Sequence, residues 1–152
     1  MHCVRQARAH RTGPDVSLEP GAELGPVTYQ VTRADLVRYA GASGDFNPIH
    51  WSDRVAREVG LPSVIAHGMY TLALAGRAVT GWAGGPEQVL ELGARFTKPV
   101  VVPDDEAGVP VTVTGVVKAS DEPGAVRVDL TVTVDESKVL GMARALVRTP
   151  DA

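Results

Sequence analysis

The stretch Gly68–Ala83, GMYTLALAGRAVTGWA, decides how this chain folds. Nearly every residue in it is small or apolar, and Arg77 is its only charge. A helix over this stretch would span roughly 24 Å. Apolar on most sides, it cannot lie on a surface and must be wrapped by other elements. Arg77 then marks a face that reaches solvent or a partner.

The wrapping lies downstream. Val126, Val128, Leu130, Val132 and Val134 alternate with Arg127, Asp129, Thr131, Thr133 and Asp135, the period of a half-buried strand. Val109 to Val117 alternates in the same way. Val139 to Val147 continues the pattern with Gly141, Ala143 and Ala145 in the inward set, and Val89 to Phe96 adds a less regular strand. Tight turns at Glu122–Pro123–Gly124 and Glu136–Ser137 join consecutive runs. The predicted architecture is α+β: an antiparallel sheet with one apolar face curled around a long central helix.

Upstream, Val27 to Val31 reads as a first strand. Thr32 with Asp35 forms a capping box for a helix ending at the Gly41–Gly44 pair. Pro48 blocks any helix through the loop that follows, and Ser52 caps a second short helix ending at Gly60. Residues 1–21 hold Cys3, His2, several arginines and no hydrophobic period, and read as a mobile tail. Residues 22–149 then form a single domain.

With 152 residues the chain is sized for one core. Its 44% apolar and 22% charged content is that of an ordinary globular protein. A net charge of −3, with no basic block beyond the N-terminus, leaves no nucleic-acid footprint. The single cysteine supports neither an internal disulfide nor a thiolate metal site. No signal-peptide pattern and no membrane-length apolar run is present, so the expected location is the cytoplasm.

The chemistry concentrates in Gly44–His50, GDFNPIH, and in Ile65–Met69, IAHGM. Asp45 and His50 flank a turn stiffened by Pro48, which also restricts Asn47. An imidazole with a pKa near 6.5 can accept or deliver a proton at neutral pH, and a carboxylate can orient it or share work on water. Asp and Asn are equally at home as loop residues capping backbone donors. Gly68 shifts the balance toward function. It opens the long helix, where unpaired N–H groups and the positive dipole end point outward, and it lets a carbonyl approach the backbone. That is the making of an oxyanion site. His67 reads as a packed histidine bonding loop backbone. No phosphate-cradling loop, dinucleotide fingerprint or metal-ligand spacing is present.

The runs YAGASGDFNPIHWSD (Tyr39–Asp53), GLPSVIAHGMYT (Gly60–Thr71) and FTKPVVVPD (Phe96–Asp104) resemble the MaoC-type hot-dog proteins. These are (R)-specific enoyl-thioester hydratases and dehydratases, and the likeness extends over about residues 24–147. Within the family the chain is most similar to the catalytic B-type subunit of actinobacterial (3R)-hydroxyacyl-ACP dehydratase. The resemblance implies a hot-dog fold and reversible hydration of trans-2-enoyl thioesters carried on CoA or acyl carrier protein, as in type II fatty-acid synthesis. It implies that Asp45 and His50 are the catalytic pair and that Asn47 braces the loop. The Gly68 N–H would bind the thioester oxygen, with no metal and no cofactor. It further implies a homodimer, or a heterodimer with another hot-dog subunit, paired edge to edge. A stand-alone (R)-enoyl-CoA hydratase, a non-catalytic hot-dog subunit and a thioesterase on the same fold are the alternatives. Arg77, Arg95 and Lys98 are candidates for a carrier-protein patch.

Overall fold

The structure, a computed structural model, describes residues 16–149. Strand β1 (Glu23–Val31) leads into helix α1 (Arg33–Ser43), a 3₁₀ turn (Pro48–His50), α2 (Asp53–Glu58) and the long α3 (Gly68–Ala83). A second 3₁₀ turn (Pro86–Gln88) precedes β2 (Val89–Phe96), β3 (Val109–Ala119), β4 (Ala125–Val134), the short β5 (Ser137–Lys138) and β6 (Leu140–Arg148). The strands form one antiparallel sheet in the order β1-β3-β4-β6-β2, with β5 paired to β4.

The valines read as inward do face the core. Val111, Val113, Val117 and Val132 are fully buried, and they meet Leu74, Ala75, Ala78 and Val79 of α3. Removing one such side chain from water stabilises by about 1.5–3 kcal/mol before entropy is counted. Two glycines let the helix end come close. A Cβ on Gly115 would sit 3.1 Å from the Trp82 ring, and one on Gly25 would sit 3.2 Å from it. The indole thus lies directly on the backbone of β1 and β3.

The helix α3 is not enclosed on every side. Met69, Ala73, Arg77 and Gly81, spaced four apart, form an exposed stripe. The Arg77 guanidinium lies 5.3 Å from the centre of the Tyr29 ring, as its reading as a surface-facing charge requires.

Four local details differ from expectation. Strand β1 begins at Glu23 rather than Val27, because the register shifts between Leu24 and Val27 and breaks the alternation there. In β6 Leu140 is buried, Gly141 half-buried and Met142 exposed with φ 49, a bulge that restores Ala143 and Ala145 to the core face. Pro48 does not exclude helical structure but opens a single 3₁₀ turn, where its missing N–H costs nothing. Of the expected tail, residues 1–15 lie outside the described residues. Val16 and Leu18 pack against the core, and the Gly21 N–H donates to the Val117 carbonyl at 2.9 Å.

Candidate active site

Helix α1 stops at Gly44, whose φ of 77 is the left-handed conformation a glycine supplies cheaply. The loop beyond it is held by side chains that accept from the backbone two residues on. Ser43 Oγ accepts from the Asp45 N–H, Asp45 Oδ1 from the Asn47 N–H, and Asn47 Oδ1 from the Ile49 N–H, each at 3.2 Å. The Trp51 indole N–H ties down the Phe46 carbonyl at 3.0 Å. Asn47 therefore caps the 3₁₀ turn that delivers His50, and its side chain is spent on that turn.

His50 is 8% exposed, and its Nδ1 lies 2.8 Å from the Ile65 carbonyl. A carbonyl only accepts, so Nδ1 carries the proton and Nε2 of the neutral ring keeps its lone pair. That nitrogen is 4.0 Å from Asp45 Oδ2. The gap is too long for a direct hydrogen bond and short enough for both groups to hold one oxygen between them. Burial, reinforced by the neighbouring His67, lowers the His50 pKa below its ordinary value, against the opposing effects of the Ile65 carbonyl and the Asp45 carboxylate. The ring is thus neutral and basic at physiological pH. The Asp45 side chain stays 54% exposed, open to a reactant.

The His67 ring stacks on His50 with centroids 3.8 Å apart and planes 26° apart, and its Nε2 lies 3.0 Å from the Asp45 carbonyl. Its reading as a packed histidine bonding loop backbone is correct, and the loop residue it bonds is Asp45 itself. Gly68 is the first residue of α3, so its N–H has no partner within the helix. The Phe96 ring covers it so closely that a Cβ there would come within 3.1 Å. His50 and Gly68 share a cleft of about 390 Å³ with Ile65, Thr71, Phe96 and Leu140 on its walls. Lys98 also lines this cleft. Arg77 instead faces Tyr29.

One ligand atom from each of Asp45, His50 and His67 falls within 4.8 Å of the others. As a metal triad the set is poorly shaped. Imidazole lone pairs lie in their ring planes, so near-parallel stacked rings aim them side by side instead of at one ion.

A further cluster escaped the sequence reading. The Arg33 guanidinium donates to the Val102 carbonyl (2.8 Å), to both Asp53 carboxylate oxygens (3.2 and 3.1 Å) and to Ser63 Oγ (3.1 Å). Ser63 Oγ and the Val64 N–H donate in turn to Asp53 Oδ1 at 2.6 and 3.2 Å. These bonds, the Ser63 hydroxyl first and then Arg33, hold the Asp53 carboxyl far below the usual carboxylate range. The clamp fastens the starts of α1 and α2 to the segment that presents Ile65 to His50. One local signal pointed to it: a cation in the first turn of α1 opposes the helix dipole and calls for a tertiary partner.

A family model described as "MaoC like domain" matches residues 15–136. The chain belongs to the MaoC-like domain family. The MaoC-like chain is 34% identical over 103 residues to 3-hydroxyacyl-thioester dehydratase X of Mycobacterium tuberculosis (strain ATCC 25618 / H37Rv), covering 68% of this chain and 36% of that protein. A solved structure titled MaoC-like dehydratase superposes with a TM-score of 0.81 at 33% identity, covering 97% of this chain and 49% of that one. The unliganded R-hydratase PhaJ1 from Pseudomonas aeruginosa gives a TM-score of 0.74 at 28% identity, covering 88% and 83% of the two chains. The MaoC-like chain thus spans about a third of the length of that mycobacterial relative. The expected hot-dog fold, a sheet around a long helix, is the fold observed. Among the described residues no helix is long and apolar enough to cross a membrane.

Proposed function

We propose that this MaoC-like protein is a hydro-lyase that reversibly hydrates trans-2-enoyl thioesters to (3R)-hydroxyacyl thioesters in fatty-acid synthesis, acting in the cytoplasm on acyl groups carried by CoA or acyl carrier protein. The observation that carries the reading is His50 Nε2, neutral and 4.0 Å from Asp45 Oδ2, in a cleft that also contains the open end of α3. In the dehydration direction Nε2 takes the C2 proton, and the electron pair moves into an enolate whose oxygen is met by the Gly68 N–H. The pair then forms the C2–C3 double bond as the C3–O bond breaks. The hydroxyl, held by Asp45, takes the proton from the imidazolium and leaves as water. Hydration is the reverse. Acid–base groups carry every step, so the reaction needs no cofactor.

A hot-dog partner, a second copy or another subunit, fits the free edge of β2. Among the described residues that strand ends the sheet, and it exposes Leu90 and Phe96, at 42% and 54%. An unpaired edge with exposed apolar side chains is a template for another strand.

The test is hydration of crotonyl-CoA and of a longer trans-2-enoyl-CoA, followed by loss of enoyl absorbance. Rates should fall by at least ~10² in both Asp45→Asn and His50→Ala, the usual contribution of a positioned acid–base group. An undiminished rate in His50→Ala would overturn the assignment. Thioesters of matched length on CoA and on carrier protein then rank the two carriers.

A further inference from the structure

We propose that His67 is a positioning residue of this site: its Nε2–H anchors the Asp45 backbone while its ring holds His50 in place. This rests on the hydratase reading and adds a residue to it. His67 is 2% exposed, and its Nδ1 has no hydrogen-bond partner among the described residues. Orphaned buried polar atoms are rare and ask for a reason. A leucine would fill the same volume with no orphan. The other nitrogen supplies the reason, because it lies 3.0 Å from the Asp45 carbonyl and must carry the proton to bond there. The Asp45 carbonyl only accepts, so the His67 N–H that faces it is directed at the backbone of the loop.

The ring face performs the second task. Tyr70, Tyr39, His67 and His50 form a column with successive centroids 5.2, 4.9 and 3.8 Å apart. Tyr39 from α1 and Tyr70 from α3 thus back the ring that backs His50. The groups facing His50 are this imidazole, the Asp45 carboxylate, and Lys98 in the same cleft. Burial against the stacked ring favours the neutral base at rest, and the Asp45 carboxylate favours the proton it accepts during turnover.

Two variants separate the tasks. His67→Phe keeps a ring and loses the N–H. His67→Gln keeps an amide N–H within reach of the Asp45 carbonyl and loses the ring. Crotonyl-CoA kinetics, thermal melting and the NMR titration of His50 in histidine-labelled protein are measured on both. His67→Phe should lower kcat about tenfold with KM nearly unchanged, the effect of one lost buried hydrogen bond in a reacting unit. His67→Gln should move the His50 titration upward as the packed ring is removed. A purely structural role would lower the melting temperature of both variants and leave kcat per folded molecule and the His50 titration at wild-type values; that result overturns the proposal. If wild type fails to turn over any enoyl thioester, the hydratase reading falls, while the His50 titration still decides the part played by His67.

Discussion

Gly68→Pro tests the oxyanion role without dismantling the helix that carries it. Proline is tolerated at the first helical position, since the N–H it removes has no intrahelical partner and its fixed φ suits a helix start. The residue before a proline must be extended, and His67 already is, at φ −58 and ψ 133. A new Cβ would lie 3.1 Å from the Phe96 ring atoms. Phe96 is 54% exposed and free to swing outward. Gly68→Ala brings the same Cβ and keeps the N–H, so the ratio of the two variants reports the lost donor together with the proline Cδ that takes its place. Alanine should cost a few-fold. Proline should cost a further ~10²–10³ in kcat, equivalent to about 2.7–4 kcal/mol of transition-state stabilisation. Crotonyl-CoA hydration measures it, with circular dichroism confirming that both variants are folded. Equal kcat for the two folded variants would refute the role assigned to the Gly68 N–H.

Three other outcomes follow from the same geometry. For wild type, kcat/KM for hydration should decline as pH falls through a midpoint below 6.5, because burial keeps His50 neutral; a midpoint above that value contradicts the site as described. Asp53→Asn should lower the melting temperature by a constant amount from neutral pH down to about 4.5. The folded carboxyl is depressed below 3.8, so its contribution is full above that value and is lost as pH falls from there through the folded value, the unfolded chain taking up its proton first; the gap should narrow over that range. Leu36→Ala, at a side chain with 0% exposure, should cost about 2–5 kcal/mol in urea unfolding with the slope unchanged.

Much of the fold was legible because its signals are local. The glycines at 68 and 84 bracket an apolar run, and α3 occupies that interval, with Gly84 at φ 88 closing it. Thr32 and Asp35 bond reciprocally as a capping box should. The valine alternation in β3 and β4 survives because nothing interrupts it. Where a bulge intervenes, the period-two reading fails locally: it loses the strand start at Gly25–Pro26, and beside Met142 it misses Leu140 as the buried neighbour of Gly141. At the site, Asp45, His50 and Gly68 could be named from their chemistry, and the loop that joins them is held by near-neighbour bonds. Arg33, Asp53 and Ser63 could not be grouped, since residues in separate elements meet only after folding. The same holds for the His67 stack and for Phe96 over Gly68, because a ring's partner is a tertiary fact.

The two tryptophans sit in contrasting surroundings. Trp82 is wedged on the glycines of β1 and β3, whereas Trp51 is 54% exposed and bonded to the carbonyl of Phe46 in the loop that holds Asp45. Each is an intrinsic fluorophore with a different audience. Iodide in solution should quench Trp51 more strongly than the half-buried Trp82, so that emission from the first reports events at the loop and emission from the second reports the melting of sheet from helix. Ligand arrival and global unfolding can thus be followed separately in unlabelled protein.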